Sequence, residues 1–541
     1  MSDSTKTIES VETQILGSAL RSVADELQVT MIRAAYSPVI KECFDCSAGI
    51  IGIDGQYWAQ AEGIPLQLGV LSEVCRGVVA TWPTDDLRPG DVLLTNDPAL
   101  GSPHLNDFIA LAPLFADDRP IAFAATLMHH SDVGGKTAGS MPADATELFQ
   151  EGIRLPVTKA VSGGVLDESL LAILLANSRL PTSFRGDLVS QLGAAGKGVR
   201  RLTDLLAGYG PARLVELVDG YLDHTEELMR ASLRRLRAGR YEASRVMDVH
   251  SADTPGDPIT VHAQVTVTAD GVDVDFSGSD PQVMLPFNVV LSNGIAASLI
   301  AFRSAVDPDL PMSGGIQRLL TVRCAPGRVM NPTLPAPLGA RAALAALACE
   351  CVFDALSAAS PEGHVASSSG GTTMPLVWVS DRTEPRRALL LDNSLTGGTG
   401  ATASCPGVPA IDNTATNAMN YPVEVLEADV PIVIERNEIR AGSGGSGRRR
   451  GGDGMRRVYR FLEPGRVNLR GYRTTNPPAG AAGGDPGAGT RFTLRRADGT
   501  EQLLAPQRTE IPVAAGDVLI AETPGGGGYG RPDGSTETGV R

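Results

Sequence analysis

"FIALAPLFADDRPIAFAATLMHH" runs from residue 108 to residue 130, and its reading decides how the first half of the chain folds. Two apolar stretches of strand composition flank Asp117, Asp118, Arg119 and Pro120, the polar punctuation of a turn. In an antiparallel hairpin centred on Asp118, residues whose numbers sum to 236 stand opposite each other, so Asp107 faces His129. Directly opposed side chains share one face of a sheet, with Cβ atoms about 5 Å apart. His104 sits just before the first strand, in a loop broken by Asn96, Asp97, Pro98, Gly101, Ser102 and Pro103, and can reach the same point. His130, one step further along, points to the other face or supports the cluster from behind.

The chain has only seven histidines, and three of them lie between residues 104 and 130. Two imidazoles and a carboxylate form a borderline-to-hard donor set that suits Zn, Mn or Fe, with positions left for water or substrate. Such a centre makes a nucleophile of water. A plainer alternative stands beside this one at the level of sequence: His104 and Asp107 cap a turn, and His129 is an ordinary histidine at a strand end.

Outward from the hairpin, the patterns mix helix and sheet. Val11, Ile15, Leu16, Leu20, Val23, Leu27 and Met31 give residues 9–36 a helical period, and another helix is expected over 66–82. "KECFDCSAGIIGIDGQYWAQ" (41–60) reads as strand, Asp-Gly turn, strand, and "DVLLTN" (91–96) as one more strand. Residues 166–239 are helical, broken at Pro181 and at 208–211. From 241 to 278 the period switches to two, with a hairpin about Asp270 and Gly271. Helices return at 292–306 and 340–359, and after 372 short strands alternate with glycine-rich turns. The stretch "TTNPPAGAAGGDPGAG" (474–489) reads as a flexible, solvated loop.

The expected class is therefore α+β and multi-domain, with mixed sheets and packed helices in the N-terminal half and a strand- and Gly-rich C-terminal region. The divisions are 1–240 for an α/β domain holding the metal site, 241–371 for a central α+β domain, and 372–541 for a mainly β region.

A net charge of −15 excludes the basic footprint of a nucleic-acid or anionic-membrane binder. Seven thinly spread cysteines do not form a secreted disulfide framework, "MSDSTKTIES" has no apolar leader, and no run of about 18 apolar residues spans a bilayer. A cytoplasmic protein is expected. "GSGGSG" (442–447) matches a dinucleotide-binding fingerprint but opens no helix, so a structural loop is the simpler reading. "LGAAGKG" (192–198) lacks the first glycine and the Ser or Thr of a phosphate loop, so the chain is not expected to bind ATP by itself.

"NDPALGSPHLNDF" (96–108), "HHSDVGGKTAGSMPADATELFQEGIRLP" (129–156), "PFNVVLSNG" (286–294), "PMSGGI" (311–316), "PVEVLEADVP" (422–431), "SGGSGRRRGGDG" (443–454) and "TPGGGGYG" (523–530) follow in order over nearly the whole chain. Together they resemble the hydantoinase B/oxoprolinase family: B subunits of ATP-dependent N-methylhydantoinases and caprolactamase, the matching half of 5-oxoprolinase, and alpha-type subunits of acetone and acetophenone carboxylases. The resemblance implies a divalent metal held by Asp45, His104, Asp107 and His129. It also implies a separate ATP-binding A-type subunit that phosphorylates the amide or enol oxygen of the substrate, and hence a hetero-oligomer of A and B subunits.

Under that reading the reaction is hydrolysis of a cyclic amide, with carboxylation of a ketone and a non-catalytic scaffold as the alternatives. Asp132 and His130 are the candidate base or water-orienting groups, and Arg341 in "PLGAR" is the candidate contact to a phosphate or carboxylate. A surface salt bridge would account for Asp132 or Arg341 equally well. Cys43 and Cys46, which flank Asp45, read as packing residues, with a thiolate ligand as the other possibility.

Overall fold

The computed structural model of the chain describes residues 3–249, 257–360, 365–371, 373–378, 389–391 and 395–532. The first part runs α1 (Asp3–Ala34), α2 (Pro38–Lys41), β1 (Cys46–Gly52), β2 (Tyr57–Gln60), α3 (Pro65–Thr81), β3 (Val92–Thr95), β4 (Asp107–Ala116) and β5 (Arg119–His129). After these come β6 (Thr158–Ser162), β7 (Val165–Leu166), α4 (Glu168–Ala176), α5 (Pro181–Tyr209) and α6 (Pro211–Leu233). The seven strands form one antiparallel sheet in the order β2-β1-β5-β4-β3-β6-β7.

The hairpin at its centre forms as expected where it matters, by a slightly different route. Asp117 and Asp118 both have positive φ, 48° and 63°, the mark of a two-residue type I′ turn. Ala116 therefore faces Arg119, and Phe115 faces Pro120, one residue away from the expected register. An irregularity after Leu114 restores it, so that Leu114 faces Ala122 and, at the far end, Asp107 faces His129.

Both faces of this sheet are covered. Phe108, Ala110, Ala112, Leu114, Ala124 and Met128 join a core with α1 and α5, while Ile109, Leu111, Phe123, Ala125 and Leu127 join a second core with α3. Burial on both sides is why the hairpin reads as a near-continuous apolar run rather than a polar-apolar alternation.

The middle of the chain adds β8 (Gly239–Met247), β9 (Ile259–Val267), β10 (Val272–Asp275), α7 (Leu291–Val306), α8 (Gly314–Gln317), β11 (Leu320–Arg323) and α9 (Arg341–Ala359). Its four strands lie in the order β11-β10-β9-β8, with β9 and β10 joined through Asp270 and Gly271 as the sequence suggests. Helix α9 is long and apolar enough to cross a bilayer by length and composition alone. It is instead a core helix, packed against α7 and the β8–β9 pair, and its first residue is Arg341. The same core takes in α3 and one face of the first sheet.

The last part contains β12 (Met374–Trp378), β13 (Leu389–Leu391), α10 (Val423–Asp429), β14 (Ile432–Ile439), β15 (Met455–Phe461), β16 (Gly465–Arg470), β17 (Arg491–Arg495), β18 (Glu501–Leu504), β19 (Gln507–Val513) and β20 (Val518–Glu522). They make two sheets, β13-β12-β16-β19 and β14-β15-β20-β17-β18. The described residues make an α+β molecule of several separate sheets and packed helices.

Residues 474–489 are not the solvated loop their composition suggests. Together with 443–452 they surround the extended segment 524–530, whose successive N–H groups bond to different neighbours in turn. Gly525 donates to Ala488 O, Gly526 to Gly452 O, Gly527 to Ser367 O, Gly528 to Asp485 O, Tyr529 to Arg449 O and Gly530 to Ala481 O. Rotation through three directions is the three-residue repeat of a polyproline II strand. A Cβ on Gly525, Gly526, Gly527 or Gly528 would run into the carbonyl of Ser443, Thr399, Ala479 or Ser446. The glycines are there because backbones pack against backbones, and the segment is held by hydrogen bonds rather than by side chains.

Candidate metal centre

Three adjacent strands deliver side chains to one point at the same end of the first sheet. Asp107 opens β4 and His129 closes β5, directly opposite it. Asp45 immediately precedes β1 on the other side of β5, and its carbonyl accepts the His129 N–H at 3.1 Å. His104 completes the group from the loop that enters β4.

That loop is fixed by its polar residues. The Asn96 amide donates to Leu105 O and Ile153 O, and its oxygen accepts the Leu155 N–H. Asp97 caps the turn Pro98–Leu100 and pairs through both oxygens with Arg154, at 2.7 and 3.0 Å. Ser102 donates to Asp107 O, and Asn106 to His130 O. These bonds explain the density of Asn, Asp, Ser, Gly and Pro between 95 and 107: they set where His104 and Asp107 stand.

The ligand atoms of His104, Asp107 and His129 lie within 4.8 Å of one another, and all three residues are buried. His104 Nδ1 is 3.0 Å from Asp107 Oδ2, and His129 Nδ1 is 3.3 Å from Asp107 Oδ1. The two rings stand 5.1 Å apart, centre to centre. Arg341 Nη2 donates to Asp107 Oδ2 from the start of α9.

Three buried nitrogens here, His104 Nδ1, His129 Nε2 and Arg341 Nε, have no hydrogen-bond partner among the described residues. Leaving a buried polar atom unsatisfied costs about 1–3 kcal/mol. Imidazole nitrogens left bare beside a carboxylate are the donor set a divalent cation takes, so the residues present fit such an ion.

The charges are consistent with this. Burial pushes the Asp107 carboxyl up, but the charges of His104 and Arg341 and the close approach of both imidazoles outweigh it and hold the group well below the usual carboxylate range. Burial and then Arg341 push His104 down to about 3, so its ring is neutral and its lone pair available. Asp45 is raised by burial, against which His129 pulls it down. A bound cation acts on these carboxylates in the same direction as the histidines and Arg341.

Asp45, His104, His129 and Arg341 line a cavity of about 80 Å³, together with Gln67 and Tyr472. Two larger cavities, of about 360 and 450 Å³, have no histidine among their described lining residues. Gln67, Tyr472 and Arg470 were not singled out by the sequence, which surrounds them with no motif. Asp45 stands outside the compact triangle but faces the same cavity.

His130 and Asp132, the expected base or water-orienting groups, are not among the described residues that line the cavity. By strand alternation His130 points to the opposite face, where its ring packs 4.5 Å from Phe184 and 5.1 Å from Phe108 and its Nε2 meets Gln191 Oε1 at 3.3 Å. Asp132 accepts from the N–H groups of Gly134 and Gly139 in its own loop and from the N–H and guanidinium of Arg179, between α4 and α5. Cys43 and Cys46 both lie in the core under α1 and α5, on the side away from the cluster, and burial pushes the Cys46 thiol up, away from the thiolate.

The family model described as hydantoinase B/oxoprolinase matches residues 9–532. The chain belongs to the hydantoinase B/oxoprolinase family. It is 31% identical over 529 residues to an uncharacterized protein of Methanocaldococcus jannaschii, covering 97% of this chain and 91% of that one. It is 28% identical over 542 residues to the B subunit of a putative D-/L-hydantoinase from a Pseudomonas species, covering 97% and 91%.

Among solved structures, the ATP-dependent caprolactamase of Pseudomonas jessenii superposes with a TM-score of 0.89 at 26% identity, over 97% of this chain and 92% of that one. Acetone carboxylase superposes with a TM-score of 0.88 at 18% identity, over 97% and 76%, a likeness of fold. The relatives of this chain thus include components of multi-subunit enzymes, among them an ATP-dependent one.

Proposed function

We propose that this chain is the B-type subunit of an ATP-dependent cyclic amide hydrolase of the hydantoinase or 5-oxoprolinase kind. The observation that carries the reading is the triangle of His104, Asp107 and His129 with two ring nitrogens left bare. Asp45, His104, Asp107 and His129 would together hold one divalent ion, Zn, Mn or Fe. Such an ion, when bound, supplies Lewis-acid activation of water and stabilises negative charge on a carbonyl oxygen.

An amide is a poor electrophile, so an A-type partner that uses ATP phosphorylates its oxygen and makes the carbonyl carbon open to attack. In this chain Asp107 orients both rings, remaining an anion at neutral pH, and Arg341 contacts the phosphate or carboxylate of the substrate through the part of its guanidinium that Asp107 does not use. Burial of the cavity excludes bulk water from the activated intermediate.

The test is the chain co-purified with its A-type partner. ATP-dependent opening of hydantoin, 5-oxoproline or a lactam, lost with Asp107→Ala, is the expected result. Full activity in that variant would reduce this chain to a scaffold.

The acetone carboxylase likeness favours a second reading, in which the same centre joins an activated ketone enol to CO2 or its phosphorylated form. Bicarbonate-dependent consumption of a ketone, without amide cleavage, would select it.

A further inference from the structure

We infer that Gln67 is a positioning residue that fixes Asp45 for the cation, and that Ser47 sets the direction in which the Gln67 amide points; the inference rests on the metal reading above. Gln67 is buried at the third position of α3, where a Gln often turns back to cap its own helix. Here it reaches across to the neighbouring strand instead. Its Nε2 donates to Asp45 Oδ1 at 2.6 Å, and its Oε1 accepts from the Ser47 hydroxyl at 2.9 Å.

The shorter contacts assign the chain of bonds one sense. Ser47 Oγ accepts the Ile64 N–H at 3.1 Å, and its single proton goes to the nearer acceptor, Gln67 Oε1 rather than Ile64 O at 3.4 Å. With Oε1 so occupied, the end facing Asp45 is the NH2 group. A donor there holds the carboxylate as an acceptor and fixes its orientation beside His129, on the wall of the cavity that both line.

The surroundings keep this relay in place. A Cβ on Gly63 would come within 2.8 Å of Ser47 Oγ and 2.9 Å of Gln28 Oε1. Gln28 in turn donates to Cys46 O and Glu62 O, tying the start of β1 to the segment before α3. Residues that orient metal-binding side chains from behind typically cost about 10–100-fold in metal affinity when removed. Gln67 satisfies that description from a helix, whereas the cluster it serves is built on strands.

The experiment is a Co2+ titration of the full chain, followed by calorimetry and by the visible absorption of the bound ion, which reports its coordination. Gln67→Met is expected to weaken binding by about tenfold or more and to change the spectrum, while Ser47→Ala moves both in the same direction by less. In an Asp45→Asn background, Gln67→Met is expected to cause no further loss, because the residue through which it acts is already altered.

Wild-type affinity and spectrum in Gln67→Met would overturn the inference, and so would an equal loss in the Asp45→Asn background. A wild-type chain that is folded by circular dichroism but binds no Co2+, Zn2+ or Mn2+ would overturn the metal reading itself. Ser47→Ala keeps the question open to decision if Gln67→Met does not fold.

Discussion

Asp107 is the single side chain on which most of the site depends. Its two oxygens face two imidazoles and a guanidinium, and it is fully buried. Replacing it with alanine removes the one anion that orients His104, His129 and Arg341 together. We expect Asp107→Ala, purified under the same conditions as the wild type, to lose bound divalent metal from about one ion per chain to almost none, measured by elemental analysis. His130 is the control, since it is adjacent in sequence to a candidate ligand but lies on the other face of the sheet. His130→Phe would extend an existing contact among Phe108 and Phe184 and remove one bond to Gln191. We expect it to keep its metal and to change stability by about 1 kcal/mol, and loss of metal in this variant would place His130 in the centre after all.

At the scale of elements, two devices place the site and hold the rest around it. The first is the order β1-β5-β4, which puts the ends of three strands side by side. The second is the bundle of glycine backbones about residues 524–530, which joins segments from 367, 443–452 and 478–489. Because the neighbours of Gly526 are the carbonyls of Thr399 and Gly452, no side chain can be accommodated there without moving backbone. Gly526→Ala is expected to destabilise the chain by about 1–3 kcal/mol, read as a lower urea midpoint. By contrast Gly442, with positive φ but open space around its Cβ position, is expected to cost less when changed to alanine.

Over the whole molecule, the parts meet behind the cavity at Glu151. Its carboxyl accepts the N–H groups of Leu338 and Gly339, between 2.7 and 3.0 Å, and Arg470 from β16 donates to Gly339 O and Met141 O. The connection between β5 and β6, the approach to α9 and β16 are thereby tied together about Gly339. Burial pushes Glu151 up to about 7 from an ordinary value of 4.5. Between those values the folded chain holds a proton that the unfolded chain has released, so this contribution to stability is full at low pH and is lost as pH rises towards 7. The slope reaches about 1.4 kcal/mol per pH unit. His104 and His130, both lowered by burial, act in the opposite sense over the acid range. The informative quantity is therefore a difference: Glu151→Gln should lose less stability than the wild type between about pH 5 and pH 7 in urea titrations, and parallel curves would show that Glu151 does not titrate there.

The sequence by itself determined whatever is local. Periodicity and turn residues marked α1, α3, α5, α9 and β1 to β5 of the first sheet but not β6 or β7, and hairpin arithmetic placed Asp107 opposite His129 because a short turn leaves few registers to choose from. The arithmetic survived even though the turn sits half a residue from its expected centre, since a bulge after Leu114 compensates. Asp45 was reached through family resemblance, not from its own surroundings, because β1, which ends at Gly52, pairs with β5, which begins only at Arg119, and periodicity cannot fold the chain between them. Gln67, Tyr472 and Arg470 left no trace at all, as they act through positions far apart in sequence. Composition misread 474–489 because glycine and proline mean a solvated loop only when nothing packs against them. Here other glycine backbones do. Tertiary structure decided which faces were covered, which strands became neighbours and therefore which polar atoms were left bare beside one another, because those depend on the packing of distant segments and not on the order of residues along any one of them.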